Sequence, residues 1–493
     1  MRKDWKELNY KDIVKKITIN TKKIKQKEYL KNGAIPVIDQ GQELIGGYTD
    51  DQTKIVECQL PAIVFGDHTK IVKLINFPFA PGADGVKVLE LKYSFEPKLL
   101  KIFTEVIALK IKDKGYARHY QDIEKSKVPL PPLLEQKAIV SKIEQLFSEL
   151  DNGIQNLKIA QQKLKIYRQA VLKKAFEGEL TKEWREKQTD LPTANKLLED
   201  IKKEREEHYL KQLEEWEERV KEWEENDKDG PKPKKPRKQK ILNPLSDKDL
   251  SELSNLNKYW AWTKIDNLIS FEDNAMKAGP FGSALKKSFY TETGYKIYGQ
   301  EQVIAGNPSY GNYYVNEEKY KELNSCKVKP NDILISLVGT IGKVLILPDS
   351  IEDGLINPRL IKIDLHKRYY IPKLFKYYFE SSFLKAIYRI HSHGATMDII
   401  TMGIIQDLPF PICSIGEQNQ IVQEIELRLS VCDNIEETIK ASLQKSEALR
   451  QSILKKAFEG KLLTKKELED IKNNPKYESA EKLLERIKQE RDK

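Results

Sequence analysis

Two loops in this sequence combine glycine with lysine or polar side chains at spacings that suit an anion. The first, "GQELIGGY", runs from Gly41 to Tyr48, and the second, "GPFGSALKK", from Gly279 to Lys287. Backbone amides at glycine turns can cradle phosphate oxygens, and Lys286 and Lys287 can neutralise them. The bland reading of the same letters is a pair of plain turns. His68 in "GDHTK" and His119 in "ARHYQ" lie in polar, basic stretches. An imidazole there either meets an anion or is a solvated or capping side chain.

Patterns for catalysis are poor. "NPSY" (Asn307 to Tyr310) differs by one residue from the Asn-Pro-Pro-Tyr motif of amino-methyltransferases. Those enzymes also need a glycine-rich S-adenosylmethionine loop after a strand, and none is well placed. There is no G-x-x-x-x-G-K-[ST] loop, so ATP hydrolysis is not expected of this chain. His391-x-His393 lacks the further ligands a metal needs, so no metal site is expected. No Ser/His/Asp or Cys/His set can be placed.

Composition narrows the setting. The formal net charge is +10 in 493 residues, weak evidence for a polyanionic partner. Cys58, Cys326, Cys413 and Cys432 are scattered without a C-x-x-C, which fits a reducing, cytoplasmic protein. No apolar run approaches the ~20 residues of a membrane span. The start "MRKDWKELNYKD" does not read as a signal peptide.

The elements that position the loops are announced by a repeat. "LKKAFEG" occurs from Leu172 to Gly178 and again from Leu454 to Gly460. Extended upstream to "EQKAIVSKIEQLF" and "EQNQIVQEIELRL", the two copies align without a gap, with roughly half of the positions identical. Downstream, "ANKLLEDIKKERE" from Ala194 faces "AEKLLERIKQERD" from Ala480. Apolar residues keep helical spacing through both copies. Ile139, Ile143, Leu150 and Phe176 mark the first, and Ile421, Ile425, Ile435 and Phe458 the second. Pro129, Pro131 and Pro132 delimit the start of the first, Gly178 reads as its C′ glycine, and Ser414-x-x-Glu417 offers the second a capping box. Each copy is predicted to be one helix of about 40 residues, about 60 Å long.

Five segments follow: a mixed α/β globule over 1–130, a long helix over 131–181, a charged helix and basic Pro-rich linker over 182–254, a second globule over 255–411, and a second long helix with a helical tail over 412–493. The charged helix carries the stripe Leu213, Trp216, Val220, Trp223, and "DGPKPKKPRKQK" reads as an extended, solvated linker. Phosphate contact is the lesser reading of that linker.

The doubled "LKKAFEG", the "PLPPLLEQ" lead-in, "VFGDHTK", "GADGVKVL", "RHYQDI", "GPFGSALKKSFY" and "GTIGKV" together give the chain its likeness. It resembles the DNA specificity subunit of a type I restriction–modification enzyme. The resemblance implies an α+β fold: two target-recognition domains separated by two long helices, packed as an antiparallel coiled coil with pseudo-two-fold symmetry. It implies a split double-stranded DNA target, two methyltransferase subunits docked on the helices, and endonuclease/translocase subunits that can join. S-adenosylmethionine, ATP and Mg then belong to those partners, with no catalysis and no cofactor on this chain. Under it, the expected DNA contacts are Gln42, Gly46, Gly47, Tyr48, His68, Thr69, Lys70, Arg118, His119 and Tyr120 in the first globule, and Gly279, Phe281, Gly282, Ser283, Lys286, Lys287, Gly394 and Thr396 in the second. A helical spacer of ~60 Å would hold two contact sites more than one DNA turn of about 34 Å apart. The insertion before the second globule departs from the symmetry. Two other readings are weighed against this one: a coiled-coil scaffold without DNA readout, and a self-sufficient adenine methyltransferase.

Overall fold

A computed structural model of the chain describes residues 2–83, 85–112, 118–337, 342–391 and 400–491. Gly394 and Thr396 lie outside the described residues, as does His393. Two compact units form: Met1–Ala160 with Thr438–Lys493, and Gln161–Glu437. Each contains one globular head and part of both long helices, so the units cut across the linear order of segments.

In the first unit the strands are β1 (Lys6–Asn9), β2 (Val14–Ile17), β3 (Ile35–Ile38), β4 (Gly47–Thr49), β5 (Ala62–Gly66), β6 (Val72–Ile75), β7 (Ala80–Pro81), β8 (Val86–Leu91) and β9 (Lys127–Leu130). They form sheets in the orders β2-β8-β5-β6 and β4-β3-β7, and the pair β1-β9. In the second unit they are β10 (Ala261–Thr263), β11 (Met276–Ala278), β12 (Tyr295–Tyr298), β13 (Tyr314–Val315), β14 (Ile333–Ser336), β15 (Val344–Ile346), β16 (Gly354–Ile356), β17 (Leu360–Ile363) and β18 (Phe410–Ile412). Their orders are β11-β17-β14-β15, β13-β12-β16 and β10-β18. Strand for strand this is the plan of the first head, including the parallel pairs β3-β7 and β12-β16 within otherwise antiparallel sheets. The two heads, unlike in sequence, share one topology.

The central strands show why the plan is stable. β5 reads AIVFG and β14 reads ILIS, and every residue of both is buried. Alternate side chains of a strand point to opposite faces. Ile63 and Phe65 therefore join the core under the head helix Pro97–Lys110, while Ala62 and Val64 enter a second core. Ile333 and Ile335 enter the core beneath the equivalent helix Pro372–Glu380, and Leu334 enters the other.

The long helices are Leu133–Phe176, 44 residues, and Ile415–Glu459, 45 residues. At 1.5 Å per residue they run about 66 Å, slightly longer than the spacing in the sequence predicts. Residues withdrawn from solvent recur at spacings of three, four or seven: Ile143, Leu150, Ile154, Leu157, Leu164, Arg168 and Val171 on the first, and Ile425, Cys432, Glu436, Ile439, Leu443, Arg450 and Ile453 on the second. That alternation is a heptad seam. Pairing is antiparallel in each unit. In the first, Arg450 meets Asp151 and covers the ring of Phe147; in the second, Arg168 bridges Asp433 at 2.7 Å and Glu436 at 3.0 Å. Ile139, Ile143, Phe176, Ile421 and Ile425 are buried, and Leu150 and Phe458 half-buried. Ile435 is 43% exposed and stands off the seam.

The repeated letters do the same work twice. The Gln136 amide oxygen accepts the backbone N–H of Glu96, where the first head helix begins, and Gln418 accepts that of Ile371 at the second. Each Gln also donates to a carbonyl just before its own helix, Pro131 and Cys413. The preceding glutamates are fully buried. Glu135 accepts from Trp5 at 3.0 Å and Arg2 at 2.9 Å; Glu417 accepts from Thr181 at 2.8 Å and Arg185 at 2.9 Å. This use of Glu417 corrects the capping box. Ser414 Oγ does accept the Glu417 N–H, but the carboxylate turns to Arg185 instead of reaching back. At the far ends, Gly178 and Gly460 have φ of +75° and +73°, the left-handed C′ conformation that favours glycine. Each seats against a tryptophan that opens a head, Trp260 and Trp5 respectively. "LKKAFEG" is thus a helix stop fitted to a head.

Candidate nucleic-acid interface

In the first head the predicted contact residues converge through one buried carboxylate. Asp67 opens the turn after β5 and is 2% exposed. Its Oδ1 accepts the Tyr120 N–H at 2.7 Å, Lys87 Nζ lies 3.1 Å from Oδ2, and its carbonyl meets His119 Nδ1 at 2.9 Å. The segment carrying Arg118 is therefore fixed beside the turn carrying His68, Thr69 and Lys70. Two further bonds fix the glycine loop to the same turn. Gln40 Oε1 accepts the His68 N–H, and Thr69 Oγ1 donates to the Gln40 carbonyl at 2.8 Å. Asp39 closes the loop by accepting from Gly41 N at 2.9 Å and Lys73 Nζ at 3.4 Å. Gly46 leaves room for this carboxylate, which a Cβ at that position would force to shift.

The surface that results presents Gln42, Thr69 and Arg118, all exposed, with half-buried Gly47, Tyr48, His68 and Lys70 beside them. His119 and Tyr120 are buried at 0% and 4%. Neither the solvated nor the surface-contact reading of His119 describes its place. It is a core histidine that binds the Asp67 turn, and burial pushes the Tyr120 hydroxyl well above its ordinary range. Asp67 itself was not singled out in the sequence, although "GDH" held it.

In the second head the loop Gly279–Lys287 is anchored at both ends and projects between them. Gly279 passes so close to Asn357 that a Cβ would fall 1.9 Å from its carbonyl oxygen. Pro280 and Leu285 are buried, and Ala284 N–H closes a turn on the Phe281 carbonyl at 2.8 Å. At the tip Phe281 is 91% exposed, flanked by exposed Gly282, Ser283, Lys286 and Lys287. An aromatic ring displayed beside two cations is suited to a nucleic-acid surface, where stacking or wedging joins phosphate neutralisation. In "NPSY", Asn307 Oδ1 accepts the Ser309 N–H in an exposed turn after the helix Gln300–Ala305.

Among the described residues no three His, Cys, Asp or Glu side chains gather as metal ligands, and no helix is long and apolar enough to cross a membrane.

Two heads of one topology stand on a repeated helix, and comparison with known proteins places the chain. Residues 2–158 and 281–445 match the family described as type I restriction modification DNA specificity domain, and the chain belongs to that family. It is 25% identical over 365 residues to the Type I restriction enzyme EcoBI specificity subunit of Escherichia coli, covering 74% of this chain and 64% of that protein. It is 24% identical over 381 residues to the EcoDI specificity subunit, also of Escherichia coli, covering 75% and 70%. The chain thus spans somewhat less than two thirds of the EcoBI relative. Among solved structures, a chain from a study of complex assembly and conformational transition of the type I R-M system matches with TM-score 0.58 at 15% identity, covering 94% and 99% of the two chains. The HsdS subunit from Thermoanaerobacter tengcongensis matches with TM-score 0.51 at 15% identity, covering 94% and 98%. These two likenesses speak to the fold.

Proposed function

We propose that this chain is the DNA-reading subunit of a type I restriction–modification complex, and that each head reads one half of a split double-stranded target. The observation that carries this is the contrast between heads and helices. One strand plan is built twice on repeated helices, while the loops proposed to meet DNA arise at different places in it, Gln42 to Tyr48 from the β3-β4 connection into β4 with Thr69 and Arg118 on one head, and Phe281 to Lys287 between β11 and β12 on the other. Shared scaffolds with unlike loops are how a fold carries two specificities.

The long helices are the docking surface for two methyltransferase subunits in this reading. On the second helix, Leu427, Val431 and Ile435 are 64%, 53% and 43% exposed at four-residue spacing, an apolar row left in water. On the first, Ile166 is 70% and Tyr167 45% exposed. The methyl donor S-adenosylmethionine and the ATP and Mg used by endonuclease/translocase subunits bind those partners, and this chain supplies no reacting group.

The test is genome-wide mapping of methylated adenines in cells with and without the protein. A bipartite, gapped motif that vanishes with the gene supports the reading. An unchanged methylation pattern would favour the scaffold without DNA readout.

A further inference from the structure

The insertion between the first long helix and the second head is a built arm, not a free linker. Its helix, Ala194–Glu225, is 32 residues long. Its first turns are buried on the second head through Ala194 and Ile201. Arg205 donates to the Asp266 carbonyl at 2.6 Å and to Asn267 Oδ1 at 3.0 Å. Beyond that foot the helix runs on, and the chain reverses through Asp227, Lys228 and Gly230, all at positive φ. It then returns along the helix as an extended strip.

Two periodicities lock the strip to the helix. Tyr209, Trp216 and Trp223 recur every seven residues, about 10.5 Å along a helix. Lys238, Lys235 and Lys232 recur every three, about 9.3 Å along a polyproline II strand. The near-equal steps let each ammonium lie over one ring: Lys238 over Tyr209 at 5.5 Å, Lys235 over Trp216 at 5.4 Å, Lys232 over Trp223 at 5.7 Å. The indole N–H groups of Trp216 and Trp223 donate to the carbonyls of Pro233 and Gly230, both at 3.0 Å. Half-burial also follows the period of three, at Pro233, Pro236 and Gln239.

That leaves a third row, Lys234, Arg237 and Lys240. All three are exposed, and none has an ion-pair partner among the described residues. From Lys228 to Lys240 the strip holds seven basic side chains and one acidic. From Glu206 to Glu225 the helix holds nine acidic and three basic. The arm therefore has one cationic edge and one anionic edge.

Resting on the DNA-reading function above, we infer that this arm is a sequence-independent contact to duplex DNA, its Lys234/Arg237/Lys240 edge lying on the phosphate backbone. Three features favour phosphates over a protein partner. The aromatic rings that would anchor a protein interface are already covered by lysines from within the arm. Two of the three outward residues, Lys234 and Lys240, are lysine, which is depleted in protein interfaces. The acidic helix repels a polyanion, so only the strip edge can face it.

The test uses the full chain, alone and assembled with its methyltransferase subunits. Lys234, Arg237 and Lys240 are replaced together by Gln, and affinity for target and non-target duplexes is measured across a salt series. The expected result is an equal fold-loss on both duplexes and a log K against log salt slope shallower by up to about 0.9 for each phosphate lost, with the methylated motif unchanged. Trp216→Ala with Trp223→Ala, which unzips the strip, should lower affinity in the same direction. An unchanged slope in the triple variant, with the motif still methylated, overturns the arm contact and leaves the DNA-reading function standing. Loss of assembly with DNA affinity intact also overturns it, and assigns the strip to an acidic protein face. A wild-type chain with no salt-dependent duplex binding overturns both readings.

Discussion

The two long helices are alike where they hold the heads and different where they face water. At their starts, Glu135-Gln136 and Glu417-Gln418 make matching bonds, down to the backbone N–H each Gln accepts from a head helix. Between the ends the outer faces part company. The row Leu427, Val431, Ile435 corresponds, in the ungapped repeat, to Gln145, Glu149 and Gly153. Buried bonding sites tolerate little change, since an orphaned buried polar group costs about 1–3 kcal/mol, whereas most surface substitutions fall within about 0.5 kcal/mol. Identity is kept where helix joins head, and again at Arg168/Arg450 and Asp151/Asp433, which pair the helices with each other. The faces that differ are those assigned above to partner docking, and in that reading the two docking surfaces are chemically unequal.

The strongest way to break that equivalence is at the buried carboxylates. Glu417→Ala leaves the Arg185 guanidinium, 10% exposed, without its carboxylate and should destabilise the second unit by about 3–5 kcal/mol. Glu135→Ala should cost less, because Arg2 keeps Asp4 at 2.6 Å. Urea unfolding of the two variants measures the difference; equal losses would mean that Asp4 does not compensate.

The helix stops give a smaller contrast. Gly178→Ala and Gly460→Ala each force a Cβ into left-handed backbone, about 1–2 kcal/mol. The loss should be the larger at Gly460, where the Cβ would stand 3.0 Å from Arg2 and Trp5, against 3.2 Å from Arg185 and Asn257 at Gly178. Thermal unfolding reads it.

A pH effect is confined to the second head. Burial pushes the Asp332 carboxyl, at the start of β14, up to about 6 from 3.8. The folded head thus holds a proton that the unfolded chain has released. The stability this gives is full below about pH 4 and is lost as pH rises through about 6. The residue before β5 is Pro61, which cannot titrate. Asp332→Asn should flatten the stability profile between pH 4 and 6; a profile that keeps its slope would assign the titration elsewhere.

The sequence made the helices legible and hid the heads. Helix limits follow from local signals, a proline cluster before and a glycine after, and the structure places them within a few residues of those marks. The common topology of the heads rests on strand pairs far apart in the chain, such as β2 with β8, and a strand needs only an apolar pattern, not particular letters. Asp67 was illegible for the same reason, since its partners Lys87, His119 and Tyr120 come from distant segments. The arm was half legible. The Trp216 and Trp223 stripe and the extended "KPKKPRK" were both read, but as separate elements; the seven-residue and three-residue spacings that marry them needed the turn at Gly230 to be seen.

In the proposed function each head reads its half of the target independently. Residues 255–411 are exchanged for the matching segment of a relative with a different target, and the methylated motif is mapped in cells carrying the chimera. One half of the motif should change to the donor's sequence while the other half stays as it was. A folded, active chimera in which both halves change together, or neither does, would contradict it.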